Sequence, residues 1–252
     1  MSNNKALIKD LKKTFTPENI LYSVEECYAY AQDASNSRTI TNIPDAVVFV
    51  QNAEEIQQIV LCAQKHKTPI ICRGAGTNVV GACKVEHGGI ILNFSKMNKI
   101  IEINSENMTA TVQPGVVLGD FQQQVEELGL FYPPDPSNLK VSTIGGSIAQ
   151  ASGGAKTFKY GSNKDYVLAL EIVTADGKIL KTGSNTVKNA TGYNLSSLFI
   201  GSEGTLGIIT EATLKLIPKP ETKKVLMAYF DSVEMAIQAV NTIIAQKIFP
   251  AT

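Results

Sequence analysis

PIICRGAGTNVVGAC, residues 69–83, runs from a short apolar stretch into a loop with three glycines, and its reading decides the fold. Glycine-rich loops after strands usually cradle phosphate, so the known phosphate loops are the templates to test. A P-loop needs Lys and then Ser or Thr directly after its last glycine. Gly76 and Gly81 have that spacing, but Ala82 and Cys83 follow, so no lysine reaches a β- or γ-phosphate. A dinucleotide fingerprint needs GxGxxG opening a helix. Gly74 and Gly76 fit, but Val79 stands at the third glycine, and the chain runs through Gly88 and Gly89 into another apolar stretch. What remains is a nest, in which successive N–H groups converge on an anion without a helix dipole. Gly74 and Gly76 would permit positive φ and close approach, and Thr77 and Asn78 add side-chain donors or acceptors. The competing reading is a plain tight turn between two strands.

The surrounding composition narrows the class. The chain has 252 residues, 44% of them apolar, enough for one large domain or two small ones. Lys+Arg and Asp+Glu are equal at 23 each with no long basic run, which argues against a nucleic-acid partner. The polar start MSNNKALIKDLKK lacks the apolar core of a secretory signal. No apolar stretch approaches the ~18 residues of a spanning helix. The four cysteines (Cys27, Cys62, Cys72, Cys83) form no CxxC pair and read as reduced, mostly buried thiols of the cytoplasm. His66 and His87 are the only histidines, and neither has a ligand at zinc spacing, so no metal site is expected. His66 reads as a helix-surface residue and His87 as a loop residue.

Working outward, the spacing predicts helices over 6–15, 53–65, 116–128 and 233–245, the third ended by Gly129. Strands are expected at 46–50, 69–72 and 90–94, the first two flanking a helix in a βαβ-like unit. Residues 99–104 and 108–114 read as a hairpin across SEN, and residues 166–175 and 178–183 as a second hairpin across Asp176-Gly177. Residues 206–216 read as two more short strands. Pro218 and Pro220 then interrupt the pattern, and a strand at 224–230 precedes the last helix.

Two further segments share the character of the first. PPDPSNLKVSTIGGSIAQASGG, residues 133–154, has almost no periodicity and is rich in small residues, which leave room for something flat and large. Structureless loops of that length are usually functional. A flexible linker is the alternative, against which Ile144 and Ile148 argue for packing. LFIGSEGTLGIIT, residues 198–210, repeats glycine at 201, 204 and 207. In this order and spacing the three segments resemble the FAD-binding domain of the vanillyl-alcohol-oxidase-type (PCMH-type) flavoproteins. Within them the likeness is to the N-terminal half of the branch that holds the D-type glycolate oxidase subunit and D-lactate dehydrogenase. It covers roughly residues 20–252.

The resemblance implies an α+β fold. Residues 1–219 would form a PCMH-type FAD-binding domain of two α/β subdomains, with a short helical segment over 1–40. Residues 220–252 would be the incomplete start of an α+β cap domain. It also implies a placement for each motif. Arg73, Gly74, Ala75, Gly76, Thr77, Asn78 and Val79 would wrap the FAD pyrophosphate, held mainly by backbone N–H groups, with Arg73 contributing at long range. Pro134 and the stretch 135–143, which includes Asp135, Ser142 and Thr143, would line the ribityl and ring region together with Gly145 and Gly146. Ala149, Ala151, Ser152 and Gly153 would run along the cofactor. Glu203, Gly204, Gly207, Ile208 and Ile209 would close over the other side. Thr77 stands where covalently flavinylated relatives carry His, and residues 133–154 hold no Cys, so FAD is expected to be noncovalent. Residues 186–195 also resemble the family stretch before the last motif, with Asn194 where the family often has Asp.

The implied chemistry is oxidation of a small 2-hydroxy acid, glycolate or D-lactate, to the 2-oxo acid by hydride transfer to flavin. In this branch the base and divalent-metal ligands come from the later part of the cap, which residues 220–252 do not match. The catalytic residues are therefore unassigned, and a metal would be present only with the missing cap. The electron acceptor would be an iron–sulfur subunit, an electron-transferring flavoprotein or a quinone. The expected location is the cytoplasm, with peripheral attachment to the inner membrane through a partner as the variant. Two other readings stay open: an electron-transfer FAD subunit of a multi-subunit oxidoreductase, and a non-catalytic FAD-binding fragment.

Overall fold

A four-stranded, a five-stranded and a small two-stranded sheet carry the chain in the computed structural model, which describes residues 5–36 and 40–251. In the N-terminal half lie α1 (Lys5–Thr14), β1 (Ile20–Leu21), α2 (Val24–Tyr28), β2 (Ala46–Phe49), α3 (Ala53–His66), β3 (Ile70–Arg73) and β4 (Ile90–Asn93). They build a four-stranded sheet in the order β1-β2-β4-β3, with β2, β4 and β3 parallel and β1 antiparallel at the edge. The βαβ unit expected from the sequence forms, but β4 slides between its two strands. Parallel strands covered on both faces read as unbroken apolar runs, and β4, IILN, is buried along its whole length. Ala46, Val48, Ile90 and Leu92 pack with α1 and α3, while Val47 and Ile91 pack with Cys27 of α2 and Val85.

The rest of the body comprises β5 (Ile100–Asn104), β6 (Thr109–Val112), α4 (Leu118–Glu127), β7 (Leu130–Phe131), α5 (Ile144–Ala149), α6 (Thr157–Tyr160), β8 (Val167–Val173), β9 (Ile179–Gly183), α7 (Ser196–Phe199), β10 (Ile208–Lys215) and β11 (Ile217–Pro218). Five of the strands make an antiparallel sheet in the order β5-β6-β10-β8-β9. Both expected hairpins form, and Gly177 takes φ +77° in the second turn. The two short strands expected over 206–216 are instead one strand, β10, because it runs through the middle of the sheet with β6 and β8 on either side. Its Ile208 and Val173 of β8 reach into the core of the first sheet, so the two halves share apolar packing. α4 starts later than its pattern suggested and ends before Gly129 at φ +73°.

Residues 133–154 are not structureless: Thr143 caps α5, accepting a hydrogen bond from the Gly146 amide at 3.3 Å. Its small residues hid the helix from a periodicity reading, because Gly145 and Gly146 carry no apolar side chain to count. Beyond Pro220 the strand expected over 224–230 does not form: among the described residues no strand pairs with it, and a strand exists only through its ladder. α8 (Val233–Ala245) follows, with none of its residues buried. Among the described residues no helix is long and apolar enough to cross a membrane.

Candidate functional site

The turn after β3 brings the three small-residue segments face to face. A Cβ on Gly74 would lie 2.3 Å from the Thr143 Oγ1 atom, so loop and helix cap touch only because residue 74 has no side chain. Gly145 lies against Pro114 in the same way, at 2.4 Å. The third segment is tied to α5 by main-chain bonds, Gly201 N–H to Ile148 O and Glu203 N–H to Ala149 O, both 3.0 Å. A side chain on Gly204 would meet the Cys72 Sγ atom at 3.3 Å. Of the two loop glycines expected to take positive φ, Gly76 does, at +71°, whereas Gly74 serves the close approach alone.

Between these segments opens a cavity of about 760 Å³, within the ~300–1,000 Å³ of cofactor sites. Of the residues singled out in the sequence, Gly74, Ala75, Gly76, Thr77, Asn78 and Val79 line one side. Ser142, Thr143, Gly145, Gly146, Ala149, Ser152 and Gly153 line the floor, and Glu203, Gly204, Gly207, Ile208 and Ile209 the opposite side. Four stand one layer behind. Arg73 turns its guanidinium onto the Gln32 carbonyl oxygen at 2.6 Å. Pro134 accepts from Gln122 Nε2 at 2.7 Å. Asp135 pairs with Lys156 at 3.2 Å and accepts its amide at 3.1 Å. Ala151 fills the space beside Gly201. Pro136, Ser137 and Asn138, within the stretch 135–143 expected to line the ring region, also line the cavity, as do Phe94 and Pro114, which sequence reasoning missed. Asn138 and its neighbours stood inside a quoted segment; Phe94 and Pro114 carried no local signal, being strand-end residues that tertiary packing brings in.

Three features of the wall suit a large anionic, partly aromatic ligand. Among the described residues, none of the six amides of residues 74–79 donates to a protein acceptor. A run of unpaired main-chain donors is what a phosphate accepts from. The buried Ser142 hydroxyl likewise has no partner. Among the described residues Glu203 is the only charged one on the wall, so neutral dipoles rather than cations would hold the ligand. Burial pushes the Cys72 thiol up to about 12 and raises that of Cys83, so neither offers a thiolate.

A buried polar framework holds the floor in place. Tyr132 donates its hydroxyl to Asn163 Oδ1 at 2.6 Å, and Asn163 Nδ2 donates to the Ser152 carbonyl at 2.7 Å and the Ser147 carbonyl at 3.3 Å. Gln122 donates to the carbonyls of Tyr132 and Pro134. Nothing in the sequence marks Asn163 or Gln122, because their partners, main-chain carbonyls and for Asn163 also the Tyr132 hydroxyl, lie 10 to 31 residues away. His66 is not a surface histidine: its ring lies 3.0 Å from Asp10 of α1 in a half-covered cluster. His87 is exposed in a loop. The four cysteines are free; Cys27 and Cys83 are buried, Cys62 and Cys72 half-buried.

Comparison with known proteins agrees with this geometry. Residues 44–183 match the model of a family described as FAD binding domain. The chain is 48% identical over 250 residues to the glycolate oxidase subunit GlcD of Bacillus subtilis, covering 98% of this chain and 53% of that protein. It is 37% identical over 237 residues to D-2-hydroxyglutarate dehydrogenase of Stutzerimonas stutzeri, covering 93% and 51%. The chain thus spans about half the length of these curated relatives. Among solved structures it superposes on an alkyldihydroxyacetonephosphate synthase with a TM-score of 0.84 at 27% identity, covering 98% of this chain and 47% of that one. On p-cresol methylhydroxylase, 24% identical, the TM-score is 0.81, covering 96% and 49% and bearing on the fold alone. With a loop of free amides, a glycine-built cradle and a family match over more than half its length, the chain belongs to the FAD binding domain family, and the resemblance to the vanillyl-alcohol-oxidase-type flavoproteins holds.

Proposed function

We propose that this chain supplies the FAD site of an enzyme that oxidises a small 2-hydroxy acid, glycolate or D-lactate, to the 2-oxo acid. The observation that carries the cofactor half is the run of unpartnered amides on the wall of the cavity. The substrate half is supported by relatives named D-2-hydroxyglutarate dehydrogenase, D-lactate dehydrogenase and glycolate oxidase subunit GlcD. Amides 74–79 would take the pyrophosphate. Ser142, Thr143, Gly145 and Gly146 would meet the ribityl chain and ring, and residues 149–153 and 203–209 would flank it. Bound there, FAD supplies a two-electron acceptor for the Cα–H of the hydroxy acid. This chain's residues hold and orient it and screen it from water.

The wall carries no Lys, Arg or His among the described residues. The base that takes the hydroxyl proton and the cation that holds the substrate carboxylate would then come from the part of the enzyme corresponding to the second half of the relatives. In this reading residues 1–219 form the FAD domain and residues 220–252 open the cap. The exposed apolar stripe of α8 would pack in that cap. Electrons would pass on to an iron–sulfur subunit, an electron-transferring flavoprotein or a quinone, in the cytoplasm or at the inner membrane through such a partner.

The visible spectrum of the purified chain tests both halves. Bound oxidised flavin should give its two bands. Bleaching on anaerobic addition of D-lactate or glycolate would place the whole substrate site in this chain and overturn the division proposed above. Unchanged bands would fit an FAD domain that needs its second half. A chain that binds no added FAD would remove the cofactor reading.

A further inference from the structure

The glycine loop is held from behind by a segment that does not touch the cavity. The Ala34 amide donates to two carbonyls of the loop, Gly76 O and Asn78 O, each at 3.1 Å. Asp33 accepts from the Cys83 amide at 3.4 Å, at the far end of the loop. Arg73 closes the near end, donating Nη1 to the Gln32 carbonyl at 2.6 Å, with its guanidinium 5.8 Å from the centre of the Tyr30 ring. That guanidinium also lies against Gly76, where a Cβ would meet Nη2 at 2.3 Å.

This arrangement has a directional consequence. Every peptide bond of the described chain is trans, and in a planar trans peptide the C=O of one residue and the N–H of the next point opposite ways. With the carbonyls of Gly76 and Asn78 both turned onto Ala34, the amides of Thr77 and Val79 must point away from it. Thr77 and Val79 line the cavity; Gln32, Asp33 and Ala34 do not.

We infer that Arg73 and the segment 32–34 form a brace that aims the Thr77 and Val79 amides at the ligand's phosphates, so that Arg73 is a positioning residue and not a phosphate ligand. The inference rests on the FAD reading of the cavity. It explains how a cation next to a phosphate loop can be spent on a main-chain carbonyl. Its work is to fix the geometry of neutral donors, which then need no reorganisation when the ligand arrives.

The test titrates FAD, and then ADP and riboflavin as displacers of FAD, against the full chain, following flavin fluorescence at low and high salt. The wild type is compared with Arg73→Lys, Arg73→Met and Ala34→Pro, the last of which removes the donor outright. All three variants should lose about 10- to 100-fold in affinity for FAD and ADP, the size of a lost hydrogen bond to a charged group. Riboflavin, which lacks phosphate, should bind as before, and the salt dependence of FAD binding should keep the wild-type slope. Wild-type affinities in the variants would overturn the brace. So would Arg73→Lys behaving as wild type while Arg73→Met loses both affinity and salt dependence, the signature of a direct charge contact. Equal losses for riboflavin and ADP would also overturn it, because they would report general loosening. A wild-type chain that binds none of the three removes the FAD reading itself, which separates that failure from the others.

Discussion

α3 and α8 are near twins in sequence logic and opposites in the structure. They have 14 and 13 residues, and each opens on a capping side chain: Asn52 Oδ1 accepts from the Glu55 amide at 2.8 Å, and Ser232 Oγ accepts from that of Met235 at 3.3 Å. Both carry apolar residues at helical spacing. α3 buries Ala53, Ile56, Ile59, Val60 and Ala63 beneath α1 and the parallel sheet; α8 buries nothing, and its Ile237 remains 56% exposed. The period of a sequence decides that a helix forms and which face it offers. Whether that face contributes to stability depends on a partner, and only α3 has one here. The same holds for strands: IILN at β4 is fully buried between β2 and β3, whereas residues 224–230, equally apolar in places, pair with no strand among the described residues.

Substitutions can break this contrast, and the largest effect is expected at the glycine loop. Gly76→Val puts a β-branched residue at φ +71° and drives its Cβ into the Arg73 guanidinium. The purified variant should carry no flavin by absorbance, while Ala239→Val on α8 retains it. Full flavin occupancy in Gly76→Val would sink the assignment of that loop to the pyrophosphate. Next, Ile59→Ala in the core should cost about 2–5 kcal/mol in urea unfolding, whereas Ile243→Ala on α8 should stay within about 0.5 kcal/mol. Equal costs would mean that α8 is packed in solution. Asn163→Ala should cost about 1–3 kcal/mol, because it strands the buried Tyr132 hydroxyl and frees the Ser152 carbonyl. Flavin affinity should fall with it, since the floor of the cavity hangs on those bonds.

Smaller effects sharpen the same comparison. Removing the cap with Asn52→Ala should lower global stability by about 1 kcal/mol. Ser232→Ala should reduce only the helical signal in circular dichroism and leave the main unfolding midpoint in place. The smallest effect is pH-dependent. Asp10 of α1 is held below its ordinary carboxylate pKa of 3.8 by hydrogen bonds from Lys13, from Lys65 of α3 and from His66 of α3. A depressed carboxyl stabilises the fold above its unfolded value and loses that contribution as pH falls below it. Docking of α1 on α3 should therefore loosen only below about pH 4, seen as faster amide exchange in α1. Asp10→Asn should remove that dependence, and an unchanged exchange profile would count against the cluster's role.

Much of this site was legible because its information is local. Three runs of small residues, each with its own spacing, marked the loop, the floor and the opposite side, and most of the residues named there line the cavity. Arg73 is not on the cavity wall: its guanidinium donates to the Gln32 carbonyl, a partner 41 residues away that no local pattern marks. α5 was hidden because Gly145 and Gly146 erase a helical period, and their lack of side chains is what lets Pro114 approach. Asn163 and Gln122 left no trace, since a side chain bonded to groups outside its own segment has no sequence pattern.

By itself the sequence determined local choices: the four longer amphipathic helices, the hairpin turn at Asp176-Gly177, and three small-residue stretches that come to line one cavity. Those choices follow from side-chain periodicity and backbone freedom within a few residues. Tertiary structure alone decided that β4 lies between β2 and β3, that β10 is a single central strand, and that Ala34 turns two loop carbonyls away from the cavity. Each of those depends on a hydrogen-bond partner far along the chain, and such a partner is chosen by the burial of the whole fold.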